Sequence, residues 1–226
     1  MYSVILLSGG RGCRMQESTP KQYLLLCGKP MIMHSIERFD VIDQINEIVI
    51  VCDNIYVDNI KQMLHEYNVE TPTVFANSGA TRQESVYNGL CAATNINVLI
   101  HEAARPFVKV EEFQQIINDE SENISYGYNI PYTVLKGNST VEGILNRSEL
   151  INVQLPQKFN RDLLLQAHEV ARSRGDIYTE DASLLFDIFH TEISIIKGTS
   201  YNLKITEPID LLMGEIIYRT YIINRS

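Results

Sequence analysis

The chain has 226 residues, 45% of them hydrophobic and 21% charged, with a formal net charge of −9. That size suits a single α/β domain over 1–226 with a sizeable core. The acidic balance excludes wholesale nucleic-acid binding and attachment to an anionic membrane, both of which need a basic face, so the cations present must act locally.

The first element is the apolar run YSVILL (2–7), read as a buried strand. A stretch rich in glycine and cations follows, SGGRGCRMQESTPKQY (8–23). PMIMHSIERF (30–39) opens on a proline, which a first helical turn tolerates. EIVIVC (47–52) is a second buried strand, with TPTVFA (71–76) and NVLIH (97–101) as weaker ones. Between them, NIYVDNIKQMLHEYN (54–68) and TRQESVYNGLCAAT (81–94) carry apolar residues at helical spacing. This alternation predicts an α/β fold, a Rossmann-like mostly parallel sheet with helices on both faces. Ligands of such sheets sit at the carboxyl ends of the strands.

From 126 to 157 the rhythm breaks into alternating apolar and polar residues with a Gly137-Asn138 turn signal, which predicts a protruding β-arm at about 131–157. Helical patterns resume at 160–175, with Asn160 as N-cap and Gly175 at the end, and at 179–189, with Thr179 as N-cap. EISIIKG (192–198) reads as a strand, and Thr206-Glu207-Pro208 opens the last helix with Thr206 as its N-cap.

The cysteines at 13, 27, 52 and 91 form no C-x-x-C pair and no histidine pair joins them, so a metal site of that kind is not expected and a reducing cytoplasm is. The N-terminal apolar run is too short for a signal peptide and lacks a basic flank. No apolar stretch approaches the roughly 18 residues of a membrane span.

Four segments carry chemistry. Gly9, Gly10 and Gly12 follow the first strand, beside Arg11, Arg14 and Lys21. Glycines let backbone amides approach a ligand, successive amides form an anion nest, and arginine and lysine add donors for phosphate oxygens. The Walker pattern is absent, and Met15 stands where the third glycine of a dinucleotide fingerprint belongs. That weakens the reading as an NAD(P)-dependent oxidoreductase and favours a triphosphate. His101-Glu102-Ala103-Ala104-Arg105-Pro106 follows a strand, where Glu102 could hold a metal or a ribose hydroxyl and Arg105 a phosphate; a surface turn with an internal Glu–Arg pair is the plainer alternative. In Asn202-Leu203-Lys204-Ile205-Thr206, Lys204 is either a phosphate ligand or a solvent-facing residue of a strand. Gly79-Ala80-Thr81-Arg82-Gln83-Glu84-Ser85-Val86 opens a helix. By itself, Arg147 reads as a solvated residue of the arm.

These segments, with Thr19-Pro20-Lys21-Gln22-Tyr23, occur in an order that resembles the cytidylyltransferases acting on methylerythritol 4-phosphate and their relatives acting on ribitol 5-phosphate. The likeness runs from about residue 3 to about residue 215. It implies a fold of the nucleotide-diphospho-sugar transferase type, transfer of CMP from CTP to a polyol phosphate, release of pyrophosphate, and use of Mg²⁺. By resemblance Ser8, Gly9, Gly10 and Gly12 line the nucleotide loop, and Arg14 and Lys21 contact the triphosphate and stabilise the transition state. Gly79 and Ser85 lie against the cytosine and ribose, with Arg82 in the same nucleotide-binding segment. Glu102, Arg105, Thr179 and Lys204 match positions near the acceptor and the reacting phosphates, and Glu102 is the candidate metal ligand. The family's arm reaches into the other subunit of a homodimer, and Thr133 and Arg147 match the residues that hold the acceptor phosphate there. That replaces the solvated reading of Arg147. Methylerythritol 4-phosphate, for isoprenoid synthesis, is the first acceptor expected; ribitol 5-phosphate, for teichoic-acid or capsule precursors, is the alternative.

Three positions depart from the family pattern. Glu102 stands in place of aspartate, moving the carboxylate by about 1.5 Å. Leu155 stands in place of a threonine, and Ala80 in place of a frequently acidic residue. The loop after Pro131 is also shorter than usual.

Both reactants of such a transfer are anions, and a phosphate monoester is already nucleophilic, so the protein must supply position and positive charge. Lys21→Ala or Arg14→Ala is expected to lower turnover with CTP about a hundredfold or more; near-wild-type turnover of either variant would remove the role assigned to that residue.

Overall fold

Strand β1 (Tyr2–Leu7) lies near the middle of a seven-stranded sheet because its side chains are apolar on both sides. The computed structural model describes residues 1–10 and 19–223. After β1, a short hairpin of β2 (Leu25–Leu26) and β3 (Lys29–Pro30) leads into α1 (Met31–Asp40), β4 (Ile45–Cys52), α2 (Val57–Glu66), β5 (Thr73–Asn77), α3 (Arg82–Ala92), β6 (Asn97–Glu102) and α4 (Val110–Asn118). Next come β7 (Ile124–Asn129), the small hairpin β8 (Leu135–Gly137) and β9 (Val141–Ile144), β10 (Ile151–Asn160), α5 (Arg161–Arg174), α6 (Asp181–Phe189), β11 (Ser194–Lys197) and α7 (Pro208–Ile217).

The sheet order is β11-β7-β10-β6-β1-β4-β5. β1 runs parallel to β4 and β6, β4 to β5, and β11 to β7; β10 alone is antiparallel to its neighbours β6 and β7. The α/β, mostly parallel reading of the sequence therefore holds. The period of two in each strand divides the core between the two faces. Val4, Leu6, Ile48 and Ile50 pack with Ile36, Phe39, Ile60 and Phe113 from α1, α2 and α4. Ile5, Val49, Val51 and Ile100 pack with Val86, Leu90, Leu164 and Leu185 from α3, α5 and α6. Strands buried on both faces read as continuous apolar runs, which is what made them legible.

A third, smaller cluster of Leu26, Met31, Ala104, Phe107 and Ile205 seats the segment before α7. That segment is not a strand, so the solvent-facing strand reading of Lys204 is replaced. The β8–β9 hairpin stands between β7 and β10, and its turn uses a Gly137 φ of +144°, a conformation that favours glycine. Among the described residues no helix is long and apolar enough to cross a membrane.

Two expected caps are corrected. α6 is capped by Glu180, whose carboxylate accepts from the amides of Ala182 (2.9 Å) and Ser183 (2.8 Å), while Thr179 lies one residue outside and exposed. A carboxylate answers the helix dipole as well as the orphan amides, which a hydroxyl does not. At α7 the N-cap is Glu207; the Asp210 carboxylate accepts from the amides of Thr206 and Glu207, and the Thr206 hydroxyl instead donates to the Lys204 carbonyl (3.0 Å). Asn160 caps α5 as expected, accepting from Leu163 N, and Gly175 closes that helix at a φ of +74°.

Gly89 lets α3 lie close to the sheet: a Cβ there would come 2.5 Å from Ile5 Cγ2 and 3.0 Å from Val51 Cγ2. Gly89→Val is expected to overpack this contact at a cost of about 1–3 kcal/mol, lowering the melting temperature by roughly 2–4 °C per kcal/mol for a chain of this size. An unchanged melt would show that the contact gives way freely.

Candidate active site

The carboxyl ends of β1, β4 and β6 open onto a cavity of about 880 Å³. Ser8, Gly9, Gly10, Lys21, Gly79, Arg82, Ser85, Glu102 and Lys204 all line it. Residues from five separate stretches of sequence thus meet at one mouth. Gly12 and Arg14 lie outside the described residues.

The loop after β1 is held from behind. Ser8 N donates to Val51 O (2.8 Å), and the buried Gln22 side chain donates to the carbonyls of Ser8 (2.6 Å) and Gly10 (3.0 Å). Gly9 is required by close approach, since a Cβ there would stand 2.2 Å from Ser78 Cβ. Tyr23 lies under the loop with its hydroxyl 3.3 Å from Ser8 Oγ, and burial pushes its phenol up to about 12. On the opposite side, the first turn of α3 faces the cavity. Thr81 Oγ1 accepts from Glu84 N (3.1 Å), Ser85 Oγ accepts from Gly79 N (3.0 Å), and the Glu84 carboxylate accepts from Ala80 N (2.8 Å).

At the end of β6, Glu102 is nearly buried, with three cations around it. Lys204 Nζ stands 3.0 Å from Oε1, Arg82 Nε 3.5 Å from the same oxygen, and Arg105 Nε 3.4 Å from Oε2. Burial alone would raise the Glu102 pKa; the charges of Lys204, Arg105 and Arg82 prevail and hold it at about 2. The Glu–Arg pair expected in this turn therefore exists, but within a larger cluster. Arg105 also donates to the Asn202 carbonyl (3.1 Å) and does not line the cavity itself. Lys21 Nζ donates to the Ile205 carbonyl (2.6 Å), while Ile205 N donates to Ala104 O (2.8 Å). The two lysines, far apart in sequence, are thereby tied to one buried residue.

Four expected site residues among those described do not line the cavity within one chain, Arg105 and three others. Thr179 is exposed before α6, Thr133 is exposed in the arm, and Arg147 is exposed with Nη1 donating to the Pro131 carbonyl (2.8 Å). Conversely, sequence reasoning missed Gln22 and Asp181. Asp181 is buried in the first turn of α6 and accepts from Arg82 Nη2 at 2.6 Å. Gln22 had a signal, its place beside Lys21 in the quoted motif; Asp181 had none beyond being an acid in a first turn.

The described residues hold no group of three or more His, Cys, Asp or Glu side chains suited to a metal. Both Glu102 oxygens already face cations, so this arrangement does not fit a protein-built Mg²⁺ site with Glu102 as ligand. Mg²⁺ is commonly held by substrate phosphates and water with few protein ligands.

The family model described as IspD, 2-C-methyl-D-erythritol 4-phosphate cytidylyltransferase, matches residues 2–220. The chain belongs to this cytidylyltransferase family. A relative from Geobacillus kaustophilus bearing the same enzyme name is 37% identical over 223 residues, covering 96% of each chain. A chloroplastic one from Oryza sativa subsp. japonica is 36% identical over 94% of this chain and 73% of its own length. Among solved structures, 4-diphosphocytidyl-2C-methyl-D-erythritol synthase from Anaerococcus prevotii aligns with a TM-score of 0.84 at 25% identity, covering 96% of each chain. The 2-C-methyl-D-erythritol 4-phosphate cytidylyltransferase from Thermus thermophilus aligns with a TM-score of 0.76 at 27% identity, over 96% of this chain and 98% of its own. Membership in the cytidylyltransferase family makes the chain a nucleotidyltransferase.

The cationic cluster has a consequence for acid stability. Burial would also raise the Asp181 carboxyl, but Arg82 and His168 prevail and hold it at about 2. For both carboxylates the unfolded state binds protons first, so their contribution is complete above about pH 4.5 and is lost as the pH falls towards 2. Denaturant unfolding followed from pH 6 to pH 2 is expected to show a steep loss of stability in that window for the wild type, and a shallower one for Glu102→Gln. Equal slopes would show that Glu102 is not held ionised by its neighbours.

Proposed function

We propose that the protein transfers CMP from CTP to 2-C-methyl-D-erythritol 4-phosphate and releases pyrophosphate, a step of isoprenoid precursor synthesis. The observation that carries this reading is the tethering of Lys21 and Lys204 at one cavity that also receives the glycine loop and the first turn of α3. The glycine loop and two lysines suit a polyphosphate, and the α3 turn on the far side suits a base and ribose.

In the reaction a phosphate oxygen of the acceptor attacks the α-phosphorus of CTP. The new P–O bond forms as the bond from the α-phosphorus to the bridging oxygen breaks, and the electron pair leaves with pyrophosphate. Ser8, Gly9, Gly10 and Gly12 receive the triphosphate, and Lys21 and Arg14 neutralise charge as it moves to the leaving group. Gly79, Arg82 and Ser85 serve the nucleotide. Lys204, held by Glu102 on the cavity wall, serves the reacting phosphates, and Arg105, which stays off the cavity, holds Glu102 and the Asn202 carbonyl in place. Mg²⁺, implied by the family likeness, would be held mainly by the triphosphate and water and would supply further neutralisation of its charge.

Thr133, Arg147 and Thr179 complete the acceptor side in this reading. The first two come from the arm of a second copy in a homodimer. Support for arm exchange lies in the exposed apolar side chains of the arm, Tyr132, Val141 and Ile144, which a second chain would cover.

The test is pyrophosphate release from CTP and Mg²⁺ with a panel of polyol phosphates. Release is expected with 2-C-methyl-D-erythritol 4-phosphate and little with ribitol 5-phosphate. The reverse preference would overturn the acceptor assignment, and silence across the panel would overturn the activity.

A further inference from the structure

We infer that Asp181 is a positioning residue for this reaction, fixing the Arg82 guanidinium against Glu102 from behind the cavity. The inference rests on the proposed transfer. Asp181 does not line the cavity; Arg82, Glu102 and Lys204 do. An unbroken chain of charges nevertheless joins it to them. Asp181 Oδ2 takes Arg82 Nη2 at 2.6 Å, Arg82 Nε lies 3.5 Å from Glu102 Oε1, and that oxygen takes Lys204 Nζ at 3.0 Å. Four parts of the fold are linked in this way: α6, α3, the end of β6 and the segment before α7.

Glu102 is shared among three cations and cannot by itself fix the fork of one of them. The short contact to Asp181 does so, and two nitrogens of the planar guanidinium then set the direction of the third. That third nitrogen, Nη1, is buried and has no hydrogen-bond partner. An unpaired buried donor is costly, and this one belongs to a side chain on the cavity wall. With no accessible surface of its own, Nη1 marks how tightly the guanidinium is enclosed in the position Asp181 gives it. The position is also a poor one for a cation on other grounds, because Arg82 opens α3, where the helix dipole favours negative charge. On the far side of Asp181, His168 is fully buried with Nε2 3.4 Å from Oδ1, so the second carboxylate oxygen is enclosed as well. The carboxylate has no freedom to release Arg82 to solvent.

The experiment compares wild type, Asp181→Asn, Arg82→Met and the double variant for kcat and for the KM of CTP and of 2-C-methyl-D-erythritol 4-phosphate, together with melting temperatures. Asp181→Asn is expected to lower kcat about 10- to 100-fold while the KM of CTP changes less than about threefold. The double variant is expected to be no slower than Arg82→Met alone, since Asp181 acts through Arg82. A kcat near wild type below the melting temperature, or losses that multiply in the double variant, would overturn the inference. Should Asp181→Asn not fold, Arg82→Lys decides: it keeps a charge for Asp181 but loses the fork. A similar loss of kcat supports the inference, and a near-wild-type kcat overturns it. An inactive wild type would remove the proposed transfer and this role with it; an active wild type with unaffected variants would remove this role alone.

Discussion

Glu102 gathers three cations that the chain delivers from different places: Arg82 at the first turn of α3, Arg105 from the turn after β6, and Lys204 from the segment before α7. Placing so much positive charge at the end of a parallel sheet would be self-defeating without a counter-charge at its centre. Placing a nearly buried carboxylate there without cations would be equally costly. Each half of the arrangement makes the other tolerable, and the surplus of positive charge is directed at the cavity. An overall acidic protein can thus present an anion-binding site, because three of its cations are gathered around one carboxylate at the end of β6.

Packing fixes that chemistry in place. Ile205 is fully buried in the third apolar cluster, its amide donates to Ala104, and its carbonyl accepts from Lys21. One apolar side chain therefore sets the height of Lys204 and, through its carbonyl, the direction of Lys21. Gln22 does the same for the glycine loop by donating to the carbonyls of Ser8 and Gly10. The functional groups come from flexible lysines and loop amides. Their precision comes from buried neighbours with no chemical role of their own.

The strands were legible in the sequence because both faces of the sheet are covered, leaving continuous apolar runs such as YSVILL and EIVIVC. The antiparallel β10 was harder to read, since INVQLPQKFN carries polar side chains such as Gln154 and Gln157 that are buried and hydrogen-bonded. At the site, Lys21, Glu102 and Lys204 were legible from their motifs, but their mutual distances were not, because the contacts span 102 to 184 residues. Asp181 was invisible for a related reason. An acid in a first turn has a sufficient local explanation in the helix dipole, and only the fold shows that Arg82 stands opposite. Thr179 and Thr206 illustrate the converse: plausible caps by residue type, one displaced because Glu180 brings a carboxylate to the amides of Ala182 and Ser183, the other because Asp210 takes the amides of Thr206 and Glu207 and leaves Glu207 at the N-cap.

The central claim is that the charge cluster at the ends of β1 and β6 is the receptacle of the triphosphate. A crystal structure with CTP bound tests it most directly. The account predicts triphosphate oxygens within hydrogen-bonding distance of Lys21 and of the Gly9 and Gly10 amides, with the cytosine against Gly79 and Ser85. CTP bound with its phosphates turned away from Lys21 and Lys204, or bound outside this cavity, would contradict it.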